Sequence, residues 1–148
     1  MSFVDELKQV HQEILEAIQG FKPDELERKN VIGYWSVSHI LLHIAMWEGE
    51  VLKALSVWRT GHDYDWTYAR DIQMFNEFFI EAGNHLPVGH ILQMFNLNHS
   101  ALVNDVAAIP DEAWEKRGGI PEWLKEITIY HNRHHIEKIL EYKKSLKK

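Results

Sequence analysis

Near its C-terminal end the chain carries a row at helical spacing, Leu124, Ile127, His131, His135 and Tyr142, in which two positions on the apolar face are histidine. His131 and His135 are four residues apart, so on a helix they stack on one face, with His134 at its margin. This pattern restricts the fold sharply. A buried polar side chain without a partner costs about 1 to 3 kcal/mol, so such a helix has to aim its imidazoles at something that satisfies them. Neutral imidazoles gathered in a core are common ligands for zinc, nickel and copper, and two of them require a third ligand from another helix packed alongside.

The stretch from Trp35 to Glu48 supplies the best candidate. Its helix buries Val37, Ile40, Leu41, Ile44, Trp47, Val51 and Leu55, and His43 lies at the edge of that stripe, while His39 points further outwards by the same count. Ten histidines in 148 residues also mean that several are surface or capping residues.

Punctuation divides the chain into four long amphipathic helices and one extra segment. The first runs from about Phe3 to Ile18 and ends at Gly20, with His11 beside its stripe. Residues 21–26 read as a turn. The second starts at Ser36, which serves as its N-cap, and continues to about Trp58. Residues 61–66 read as a loop, followed by a helical stretch over about 68–82. The third long helix begins near Pro87 and runs to about Ala108, with His99 in its apolar row as a core histidine bonded to a polar neighbour or as a pocket residue. Residues 109–114 form a turn, and the final helix opens at Pro121 and reaches about Lys144. The fold class is all-α, a four-helix bundle with an extra helical segment in the crossover. An internal echo accompanies it. Pro-Asp-Glu stands at 23–25 and at 110–112, and each copy precedes a histidine-bearing helix, with twenty positions from Pro23 to His43 and twenty-one from Pro110 to His131. Two helix-turn-helix halves related by a pseudo-twofold would place His43 opposite His131.

The length and 45% hydrophobic composition suit one domain spanning residues 1–148. The chain lacks an apolar run of about 18 residues and opens on an acidic, amphipathic segment, which predicts a cytoplasmic protein with no membrane partner. A formal charge of −6 makes nucleic acid an unsuitable partner. There is no cysteine, so disulfides, thiolate ligands and a cysteine nucleophile are excluded.

The helix start Trp35-Ser36-Val37 followed by the single His43, together with the His131-x-x-x-His135 pair in the last helix, resembles the DinB-like family that includes YfiT, small helical bundles described as metal-dependent enzymes. The resemblance covers most of the chain and rests on the order, spacing and length of short motifs. It implies an up-down-down-up bundle, a three-histidine site at His43, His131 and His135, and a homodimer.

Three imidazoles leave a coordination position open, as catalytic sites do. A divalent ion, nickel or zinc, lowers the pKa of a water or thiol that reaches it. Two enzyme readings follow. In one, which the resemblance implies, a low-molecular-weight thiol cosubstrate attacks an electrophilic substrate in a transferase reaction; in the other, a metal-dependent hydrolase cleaves an ester or amide. A metal-binding or dimerisation module without turnover is a third. Glu48 and Glu50 lie within two turns of His43, and Glu50 follows it along the row His43, Trp47, Glu50, which makes Glu50 the catalytic proton-carrier candidate. Trp35, Trp47 and Tyr130 serve packing or an aromatic wall.

Overall fold

The computed structural model describes residues 1–147. In chain order it contains α1 (Phe3–Ile18), α2 (Pro23–Glu27), α3 (Val37–Trp58), a 3₁₀ turn (Trp66–Ala69), α4 (Ile72–Gly83), α5 (Val88–Ala107), α6 (Asp111–Glu115), α7 (Glu122–Lys125), a π turn (Glu126–Tyr130) and α8 (His131–Ser145). The all-α expectation holds. Among the described residues the sole strand-like pairing is one bridge between Ile32 and Trp35.

Helix α3 is the centre of the molecule. Sixteen of its 22 residues are buried, so it presents apolar surface on every side and must be surrounded. It packs on α5, α4 and α8, while α1 packs on α5 and α8; the four long helices therefore close a ring. Leu7, Leu41, Leu55, Phe95, Leu102 and Leu124 are wholly buried within it, each contributing about 1.5 to 3 kcal/mol of burial. A second, smaller aromatic core forms where the crossover meets α3, with Trp47, Ala69 and Phe75 at its centre and Trp66, Phe79 and Ile127 around it. At Gly83 the end of α4 comes so close to α3 that a Cβ would run into the Leu42 side chain.

The sequence reading needs three corrections. The two Pro-Asp-Glu turns are short helices, α2 and α6, because proline in the first turn and acidic residues beside the helix N-terminus favour helix rather than merely allowing it. The echo thus extends to element order, with a long, a short and a long helical stretch in each half. The crossover is split in two: Asp65 caps the 3₁₀ turn through the Thr67 amide (2.9 Å), and Asp71 caps α4 through the Met74 amide (3.0 Å). The last helix is not uniformly α. In its π turn the His131 amide donates to the Glu126 carbonyl, five residues back, and the extra residue rotates the helix face. Thr128, Ile129 and Asn132 are consequently buried, whereas Ile127 and His131, placed in the buried row by a regular helical count, are half-buried.

Candidate metal centre

Helix α3 starts in a capping box. The Ser36 hydroxyl accepts from the His39 amide (3.0 Å), and the Ser36 amide donates to His39 Nδ1 (3.1 Å). This fixes the helix phase, and His43 follows one turn later. His39 is buried rather than outward-pointing, a correction that the cap explains: with Nδ1 accepting, Nε2 carries the proton and donates to Asn84 Oδ1 (2.9 Å) at the end of α4. Both ring nitrogens are engaged, so His39 ties α3 to α4 and offers no free lone pair.

His43 meets His131 and His135 where α3 faces the π turn and α8. The Nε2 atoms of His43 and His131 are 3.2 Å apart, and those of His135 and His131 are 2.9 Å apart. All three side chains offer ligand atoms within 4.8 Å of one another. A tetrahedral ion with Zn–N bonds near 2.0 to 2.1 Å holds its nitrogens roughly 3.3 Å apart, close to the two short separations. The protonation chemistry fits as well. Burial, first, and repulsion from His131, second, bring the His43 imidazolium down to about 3; burial and the neighbouring imidazoles bring His135 down to about 2, and burial lowers His131. All three rings are therefore neutral near pH 7. One Nε2–H can serve only one of the two contacts at His131, so the ring nitrogens cannot all be satisfied by one another. A cation among them would satisfy all three.

The surroundings differ on the two sides of the triad. His43 and His131 form part of the lining of a cavity of about 420 Å³, with Trp47, Trp66, Ala69, Arg70, Ile72, Asn76, Glu126 and Ile127 as the other walls. Trp47 Nε1 donates to Asn76 Oδ1 (2.9 Å). The crossover contributes Trp66, Ala69, Arg70, Ile72 and Asn76, none of which the sequence reading assigned to the site; the available signal was a connection longer than the bundle needs. On the other side, the Trp35 ring lies 4.9 Å from that of His43, and the exposed His134 ring is 5.9 Å from that of His135.

The two carboxylates on α3 are engaged elsewhere. Glu50 Oε2 accepts from the Tyr64 hydroxyl (2.9 Å), and Oε1 pairs with Lys53 Nζ (2.6 Å), so Glu50 ties the 61–65 loop to α3. Glu48 Oε1 and His99 Nδ1 are 2.9 Å apart, and both residues are buried. Burial raises the Glu48 pKa against the opposing effect of its bond to His99. His99 stacks on His11 at 4.1 Å, and His11 Nε2 meets Asn96 Oδ1 at 3.0 Å. This is the core histidine with a polar partner expected from the sequence. Among the described residues, neither glutamate is hydrogen-bonded to any of the three imidazoles.

A family model described as the DinB superfamily matches residues 6–139. The chain belongs to the DinB superfamily. No curated protein and no solved structure matches it. The DinB match starts on α1 and ends on α8, and so includes all three converging histidines and the crossover that walls the cavity. No helix among the described residues is long and apolar enough to cross a membrane.

Proposed function

We propose that this DinB-superfamily chain is a metal-dependent enzyme that transfers a low-molecular-weight thiol to a small apolar electrophile, with His43, His131 and His135 holding one divalent ion. The observation that carries the reading is three convergent ring nitrogens beside a cavity lined by two of those rings. Three protein donors leave a position open, as a catalytic site does and a closed structural one does not. Imidazole donors suit zinc or nickel. Such an ion lowers the pKa of a thiol or water that reaches it.

The chain has no cysteine, so the sulfur enters with a cosubstrate. In the overall reaction sulfur bonds to an electrophilic carbon, the leaving group departs with its electron pair, and the thiol proton passes to solvent. Trp47, Trp66 and Ile127 give the electrophile an apolar wall that excludes water. Asn76 accepts from Trp47 Nε1 and so holds Trp47 in that wall.

One residue favours metal-dependent hydrolysis as a second reading. Glu126 brings a carboxylate to the lining of the same cavity, where a general base for water would stand. The experiment that separates the two loads tag-free protein with cobalt, follows sulfur-to-metal charge-transfer absorption on adding thiols, and assays turnover in wild type and Glu126→Gln. Thiol transfer predicts a new absorption band and turnover that Glu126→Gln leaves within about tenfold. Silent thiols, with ester or amide turnover falling by about 10² to 10⁴ in Glu126→Gln, would assign the hydrolase.

A further inference from the structure

Of the chain's five arginines, Arg28, Arg59, Arg117 and Arg133 each have a carboxylate within 4.0 Å. Arg70 pairs with none among the described residues, although it stands in sequence between Asp65 and Asp71. Both of these acids are committed to caps. Asp65 Oδ1 accepts from the Thr67 amide and hydroxyl, and Asp71 Oδ1 accepts from the Met74 amide. The crossover thus keeps a free guanidinium in the wall of the cavity that His43 and His131 line. A second donor belongs to the same wall. An indole N–H can only donate, so the Asn76 amide turns its oxygen to Trp47 Nε1 (2.9 Å) and keeps its –NH2 group for another partner. Asn76 also lines the cavity.

We propose that the electrophile carries a carboxylate, which Arg70 and the Asn76 amide hold against the crossover wall while its apolar frame lies on Trp47, Trp66 and Ile127. The inference rests on the reading above for placing the electrophile in this cavity, and it names the substrate class, a small carboxylic acid on an apolar frame. Guanidinium and carboxylate match in charge and in fork geometry, so the pair orients the substrate as well as attracting it. Glu126 is not the missing partner: it lines the cavity from the π turn and makes no ion pair with Arg70. Its charge disfavours an anion laid against the π-turn wall, which directs the carboxylate to the crossover. The cavity's volume of about 420 Å³ falls within the range of about 300 to 1,000 Å³ common to small-molecule sites and has room for a phenyl ring with a short acid chain.

The test is isothermal titration calorimetry of zinc-loaded protein with 3-phenylpropanoate and with 3-phenylpropanamide, which has the same frame and no charge. The expected result is a Kd for the acid about tenfold below that for the amide. Arg70→Gln should abolish this preference and leave the amide unmoved. The Arg70 side chain is exposed, so the variant should fold as wild type does, which circular dichroism checks. Asn76→Asp keeps an acceptor for Trp47 and replaces the free donor by an acceptor, so it should weaken the acid about tenfold, whereas Glu126→Gln should not weaken it. Equal affinity for acid and amide in wild type, or a preference that survives Arg70→Gln because the ion itself holds the carboxylate, would overturn the proposal. These titrations contain no thiol, so that failure leaves the cobalt–thiol band as it stands. A silent band beside a preference that Arg70→Gln removes would strike the thiol from the reading and support the carboxylate site.

Discussion

At the level of single residues, the candidate site was legible where the sequence put a polar ring on an apolar stripe. His131 and His135 stood out by their four-residue spacing, and His43 by its place at a stripe edge. Asn76 was not legible because it joins the site through the approach of the crossover, and Glu126 was not because it interrupts no apolar row and comes to the cavity through the π turn. His39 misled the helical count because its ring serves the cap of its own helix. Glu48 and Glu50 show the limit of a wheel projection: both lie near His43 in sequence, yet one is drawn to His99 and the other to Tyr64 and Lys53. Glu48 also carries a pH prediction. Its folded pKa is raised by burial, so between the unfolded value near 4.3 and the raised folded value the native state binds more protons than the unfolded one. Stability contributed by the protonated carboxyl is present below the unfolded pKa and is lost as pH rises through the folded pKa. Replacing Glu48 by Gln removes that loss. Urea titrations should show Glu48→Gln gaining stability relative to wild type as pH rises from 5 to 8; a difference that does not change with pH would contradict the assignment.

At the level of elements, the four long helices were readable from apolar periodicity, and Ser36 was readable as the cap of α3. The π turn was not, because its sequence, Glu126-Ile127-Thr128-Ile129-Tyr130, has ordinary helical periodicity and no glycine or proline to mark the change. Thr128 is what supports it. The hydroxyl of this buried residue donates to the Leu124 carbonyl at 2.6 Å, the acceptor that a regular α-helix assigns to the Thr128 amide. The turn ends directly at His131, so its phase sets the direction of that ring. Thr128→Val keeps the shape and removes the donor. It should cost about 1 kcal/mol of stability and weaken metal binding about 10- to 100-fold, as loss of a supporting contact behind a ligand does, while Thr128→Ser should retain both. Competition titrations with a chromophoric chelator check this. Unchanged affinity in Thr128→Val would show that the π turn holds its phase without the hydroxyl.

At the level of the whole molecule, stability and the site are partly separable. The main core is built from apolar side chains of all four long helices around α3, so the fold should persist without metal. Binding to the native state adds RT ln(1 + [L]/Kd), about 2.7 kcal/mol at a hundredfold excess over Kd. Chelation should therefore lower the melting temperature and leave helical content at 25 °C intact, as checked by circular dichroism; complete unfolding on chelation would make the site structural. The metal-free protein should also be acid-sensitive. His11, His43, His131 and His135 all have folded pKa values lowered by burial, to about 4, 3 and 2 for His11, His43 and His135. Below 6.5 the unfolded chain takes up protons that the native state refuses. The stability is full above pH 6.5 and declines as pH falls toward 4, which thermal melts across that window will show; melting temperatures that hold constant from pH 7 to 4.5 would contradict it.

The central claim is that one divalent ion sits among His43, His131 and His135, and anomalous diffraction at the metal edge, from crystals of protein purified without a metal-affinity tag, tests it most directly. The account predicts one strong peak at roughly 2.0 to 2.2 Å from all three Nε2 atoms, with one further position open to water or thiol. A peak elsewhere in a metal-loaded crystal, with these three imidazoles turned apart, would contradict it.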